Sequence, residues 1–124
     1  MTPTRILPIV SVLSLVTVEY GGYALLSILT SAGGLGGFQE QFFRAGHAHA
    51  GVLLVLSLVY FIYLDRTGYS AGVQWTAGAV LLLGIVSQSG GFFLHMLSGG
   101  PGERSVGTTV TAIGAVLIAA ALVG

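Results

Sequence analysis

Arg44-Ala-Gly-His47-Ala-His49-Ala-Gly51, running without a break into Val52-Leu-Leu-Val-Leu-Ser-Leu-Val-Tyr-Phe-Ile-Tyr-Leu64, is the stretch whose reading decides the fold. Its apolar length matches the roughly 20 residues that carry a helix across the hydrocarbon core of a bilayer. Two of the chain's three histidines lie inside it. An ionisable side chain at that depth is costly unless it has a partner or a task. The same apolar bias pervades the chain: 54% of residues are hydrophobic, 6% are charged and the mean hydropathy is +0.94. A soluble domain carries about 25% charged residues, so the class indicated is an integral membrane protein.

Outward from this helix, three further apolar runs appear. Ile6 to about Thr30 makes a first span, with Pro8 placed in its first turn, where a missing N–H costs little. No basic lead of several residues and no A-x-A site accompanies this run, so it reads as a retained span and not as a signal peptide. Ser31-Ala-Gly-Gly-Leu-Gly-Gly37 is a glycine-rich connector, and Phe38–Phe43 reads as an interfacial lead-in before a second span over about 41–64. Gly33-Gly-Leu-Gly-Gly37 has the look of a phosphate-binding loop but lacks the P-loop lysine and serine, so it reads as a turn. Asp65-Arg-Thr-Gly68 is a short polar turn, the third span covers about 71–97 with Trp75 at an interfacial position, and Ser98-Gly-Gly-Pro-Gly102 separates it from a fourth over 105–123. The expected architecture is all-α: one transmembrane domain, an up-down-up-down four-helix bundle, because in lipid a helix satisfies its own backbone.

Charge excludes some functions. Four arginines balance four acids, so no basic face exists for nucleic acid. Arg5 and Arg66 fall on one side and Arg44 and Arg104 on the other, so positive charge does not select an orientation. Without cysteine there is no disulfide, thiolate metal site or thiol nucleophile. Glycines recurring along the third and fourth spans, such as Gly84, Gly91, Gly107 and Gly114, permit close helix approach, including approach by a second copy in a homo-oligomer.

The polar side chains converge in depth. At about 1.5 Å of rise per residue, His95 is shallowest from the shared membrane face, His47 and His49 lie roughly 9–12 Å in, and Gln88 and Glu19 roughly 15 Å or more. Gly84, Gln88, Gly91 and His95 share one face of the third helix, while Glu19 shares a face with Ser11, Gly22 and Tyr23. His47 travels with Arg44, and His49 stands about 200° around the helix from it, so one metal ion cannot take both from a regular helix. A site between the first three helices, built from Glu19, His47, His49, Gln88 and His95 with Arg44 and Tyr23 in support, is therefore expected.

Three kinds of function suit such a site. Neutral imidazole is the commonest metal ligand, so His47, His49 and His95 are candidates to hold a haem b, and Glu19 could join them around a transition metal ion. A channel or proton-coupled transporter could use Glu19, His47, His49 and Gln88. Alternatively these groups are merely hydrogen-bonded partners that fix helix register, or the chain is an accessory subunit whose larger complex supplies the chemistry. Phe42, Phe43, Tyr60, Phe61, Tyr63, Phe92 and Phe93 read as interfacial belts, with Phe92 and Phe93 also able to flank a macrocycle. The serines and threonines of the first and fourth spans are expected to bond back to their own helices.

The segment Phe43-Arg-Ala-Gly-His-Ala-His-Ala-Gly-Val-Leu53 resembles the His-x-His helix of small bacterial membrane proteins akin to fragments of the haem–copper oxidase catalytic subunit. With Val18-Glu-Tyr-Gly-Gly22 and Gly90-Gly-Phe-Phe-Leu-His95, the chain as a whole also resembles uncharacterised four-span bacterial membrane proteins. The resemblance implies a multi-pass protein of the bacterial cell membrane in which His47 or His49 ligates haem iron or copper, possessing neither the spans nor the histidines for a complete oxygen-reducing centre. A single haem or metal, used for electron transfer, sensing or small-molecule redox chemistry alone or within a larger redox complex, is what it implies.

Overall fold

The computed structural model describes residues 2–31, 34 and 36–124. The chain forms four helices and, among these residues, no strand: α1 (Pro3–Leu29), α2 (Gly37–Asp65), α3 (Ala71–Ser98) and α4 (Val106–Val123). All four are long and apolar enough to cross a membrane. The expected all-α four-helix bundle is the observed one, with consecutive helices antiparallel. The glycine-rich connector and its phosphate-loop look fall partly on residues 32, 33 and 35, outside the described residues.

Two helix starts differ from the sequence reading. Pro3 opens α1 at a position that tolerates a missing N–H, so Pro8 stands inside the helix and not in its first turn. The start of α2 lies at Gly37, before the expected 41. Phe38 and Phe42, one turn apart, pack ring on ring at 4.8 Å, and Glu40 in the first turn suits the positive end of the helix and meets Arg44 at 2.8 Å. The lead-in is thus a full helical turn, held by side-chain contacts.

The α3 helix is the centre of the assembly. It contacts all three others, and its seam with α4 is the most extensive, whereas α1 rests on α2 and α3 and does not reach α4 among the described residues. Leu7, Phe61, Leu81, Ile85 and Ile118 form the middle of the core. Along the α3–α4 seam the glycines are what permit contact. A Cβ on Gly114 would strike the backbone of Gln88, one on Gly107 the backbone of His95, and one on Gly84 would come within 2.8 Å of Ile118. Thr111 adds a hydrogen bond, its Oγ1 donating to the Gln88 carbonyl at 3.1 Å. In lipid, where apolar burial drives little helix association, such close backbone packing and interhelical hydrogen bonding hold helices together.

The α1–α2 seam is secured by Ser57, whose hydroxyl lies 2.8 Å from Ser11 with both side chains fully buried. At the opposite end of the bundle from the histidines, the Gln74 amide donates to the Leu64 carbonyl at 3.1 Å and fixes the Asp65–Gly68 turn. The Tyr60 hydroxyl reaches the Ala121 carbonyl at 3.0 Å, tying α2 to the end of α4. On α1 the hydroxyls of Ser14 and Thr17 bond back to their own helix, as expected; on α4, Thr108 bonds back while Thr111 bonds across to α3.

Candidate functional site

The three histidines occupy one half of the bundle, as the depth count requires, but each faces a different neighbour. His47 turns toward α1, where the absent side chains of Gly21 and Gly22 make room for it: a Cβ on Gly21 would lie 3.3 Å from its Nδ1, and one on Gly22 3.4 Å from its Nε2. His49 turns toward α3 and packs on Phe92, ring centroids 4.5 Å apart and planes inclined by 32°. His95, only 5% exposed, sits against the start of α2 and the start of α4.

The expected single site between α1, α2 and α3 is therefore distributed over three interfaces. Gln88 sits on the α4 side of α3, where its backbone packs against Gly114 and accepts from Thr111. The polar and glycine face of α3, which carries Gln88 and His95, meets α4 because α4 offers complementary small residues. Glu19 and Tyr23 lie on the exposed surface of α1, away from the histidines' packing contacts. Arg44 is also exposed and paired with Glu40. Among the described residues, no three His, Asp or Glu side chains come close enough to share a metal ion.

What His49 and His95 can do follows from their hydrogen bonds; His47 makes none among the described residues. His49 Nδ1 lies 2.8 Å from the Ala45 carbonyl oxygen. A carbonyl only accepts, so Nδ1 carries the hydrogen and, in the neutral ring, Nε2 carries the lone pair. No partner for that Nε2 exists among the described residues, and no side-chain nitrogen or oxygen sealed inside them lacks a hydrogen bond. Nε2 of His49 is thus accessible, and its orientation is fixed by its second nitrogen in the manner of metal-bound histidines. A haem iron or a metal ion fits this single donor; a closed site of several donors from one copy does not.

His95 is arranged the other way round. The Ser105 side chain caps α4, its Oγ accepting from the Gly107 N–H at 3.1 Å. In the capping box Oγ also accepts from the Thr108 N–H, so with both lone pairs engaged its own hydrogen is directed at His95 Nδ1, 2.7 Å away. The neutral ring so held carries its hydrogen on Nε2, a donor and not a ligand. Phe38 and Phe42 stand edge-on to the ring at 5.4 and 4.6 Å. Phe42 also meets Phe92 at 6.2 Å, so a continuous run of rings joins His95 to His49.

The phenylalanines expected in interfacial belts are used for helix packing. Phe42 meets Phe92, and Phe43 meets Phe93 at 5.4 Å with planes nearly perpendicular, across the α2–α3 seam. Gly46 is buried beneath Phe93, where any side chain would collide with the ring. Phe38, Phe42 and Ser105 are site residues that the sequence reading left out. Their signals were the one-turn spacing of the two rings and a serine placed to cap α4 just beyond the turn that follows His95. Compared with known proteins, the chain matches no family model, no curated protein and no solved structure.

Proposed function

We propose that this chain is a multi-pass protein of the bacterial cell membrane that holds a haem b or a transition-metal ion through His49. The observation that carries the reading is the 2.8 Å hydrogen bond from His49 Nδ1 to the Ala45 carbonyl, which leaves Nε2 as an oriented, accessible lone pair inside an apolar span. An imidazole nitrogen without a partner in lipid is expensive, and a metal satisfies it. Phe92 keeps the ring from rotating about its side-chain torsions. His47 also has no hydrogen-bond partner among the described residues, but it faces α1 while His49 faces α3, so the two cannot share an ion and the opposite coordination position belongs to a second copy or to a small exogenous ligand. When bound, a haem would supply one-electron transfer or gas binding.

Haem and metal content of purified wild type, His49→Ala and His47→Ala proteins test the reading. Loss of the cofactor in His49→Ala with retention in His47→Ala supports it; retention in His49→Ala, or absence from wild type expressed with haem and metals in supply, overturns it.

A second reading rests on Glu19. It lies near the middle of α1, exposed on the outside of the bundle and without a hydrogen-bond or ion-pair partner among the described residues. A carboxyl group at that depth calls for a partner from outside the chain. Packing of α1 against a second copy, in a homo-oligomer that moves protons or ions, would provide one, as would seating in a larger complex. Flux into liposomes that disappears in Glu19→Gln supports the transport reading, and unchanged flux counts against it.

A further inference from the structure

The cavity beside His95 has a use that the proposed cofactor does not account for. It measures about 370 Å³ and is lined by Phe38, Gln41, Phe42, His95, Pro101 and Gly102. That volume falls within the usual range for small-molecule sites. It opens where α2 begins and α3 ends, so a molecule dissolved in the membrane reaches it from the interfacial layer.

Three properties of its walls define what would bind. First, the buried polar group is His95, whose Nδ1 is engaged by Ser105 and whose remaining nitrogen is a donor. Nε2 has no partner among the described residues and is not sealed among them, and the ring lines the cavity, so this nitrogen is available to a molecule bound there. Second, Phe38 and Phe42 give the cavity flat apolar walls. Third, no charged side chain lines it: the rim contributes only the Gln41 amide. A phosphate, carboxylate or ammonium group would enter without a counter-charge, which is costly. A neutral planar ring carrying a carbonyl oxygen meets all three conditions, since the oxygen accepts from Nε2–H and the ring packs on the phenylalanines.

We propose that this cavity binds a lipid-soluble quinone-type head group, held by a hydrogen bond from His95 Nε2–H to a quinone carbonyl and by ring packing against Phe38 and Phe42. The assignment rests on the chain alone and is independent of whether His49 holds a cofactor. Ser105 is a positioning residue: by donating to Nδ1 it keeps the hydrogen on Nε2.

The test is a titration of the full-length protein in lipid nanodiscs with decylubiquinone, followed by calorimetry, with the carbonyl-free dimethyl ether of the corresponding quinol as comparison. Saturable one-site binding of the quinone, weaker by about tenfold or more for the ether, is expected, a ratio that corresponds to one lost hydrogen bond to a buried donor. His95→Phe should lower quinone affinity to that of the ether. Phe38→Ala, which removes one ring wall and leaves the His95–Ser105 bond in place, should weaken quinone binding by about tenfold or more even if His95→Phe fails to fold. Quinone binding by wild-type protein that holds no haem or transition metal separates this proposal from the cofactor reading. Equal affinity for quinone and ether, or wild-type binding in Phe38→Ala, would overturn it.

Discussion

Replacement of Gly114 by alanine, set against replacement of Gly90 by alanine, tests the packing that places the histidines. Both glycines lie inside helices, and in an exposed helix interior alanine is favoured over glycine by about 1 kcal/mol. Gly90 has nothing within 4 Å of where its Cβ would stand, so Gly90→Ala should keep that gain. A Cβ on Gly114 would run into the backbone nitrogen and Cα of Gln88, the latter at 2.7 Å. Backbone cannot move aside as a flexible side chain can, so α4 must lift from α3. Overpacking of this kind costs about 1–3 kcal/mol, or roughly 5- to 150-fold in the folding equilibrium. The lift should also stretch the Thr111–Gln88 hydrogen bond and disturb the Ser105–His95 pair farther along the seam. Equilibrium unfolding in mixed detergent micelles, followed by circular dichroism, reads the difference. Gly114→Ala should unfold at lower denaturant than wild type and Gly90→Ala at equal or higher. A Gly114→Ala protein as stable as wild type, with Gly90→Ala destabilised, would refute the description of the α3–α4 seam.

Further expectations concern single contacts. Ser57→Ala removes the buried Ser57–Ser11 bond and should lower stability by about 0.5–1.5 kcal/mol in the same unfolding assay, since Ser11 retains the Leu7 carbonyl as acceptor. Gly22→Leu should push His47 from α1 and loosen α1 from α2, seen as faster cleavage by a protease presented at the α1–α2 connector. Tyr60→Phe loses one hydrogen bond to Ala121 and should increase amide exchange in the last turn of α4 before it changes global stability. Arg44→Ala breaks an exposed ion pair with Glu40 and should shift stability by less than about 0.5 kcal/mol.

The helices were legible in the sequence and the directions of their faces were not. Long apolar runs divided by Asp65–Gly68 and Ser98–Gly102 dictate four spans, because no other backbone arrangement of that length satisfies itself in lipid. Depth along each helix followed from rise per residue, and the histidines do lie in one half of the bundle. Azimuth depends on which partner a face meets. The glycine face of α3 is compatible with a polar crevice or with another helix, and Gly107, Thr111 and Gly114 on α4 decide for the helix. Tertiary contact likewise extends α2 back to Gly37, since Phe38 and Phe42 have His95 to pack on. The tautomers of His49 and His95 were beyond the sequence, because each is set by a single hydrogen bond to Ala45 or Ser105.

The most direct test of His49 as a cofactor ligand is an absorption spectrum of the detergent-purified protein, oxidised and dithionite-reduced, with elemental analysis of the same sample. The account predicts a Soret band with sharp reduced α and β bands, or a stoichiometric transition metal, lost in His49→Ala and kept in His47→Ala. A flat visible spectrum with no stoichiometric metal in wild type would contradict it.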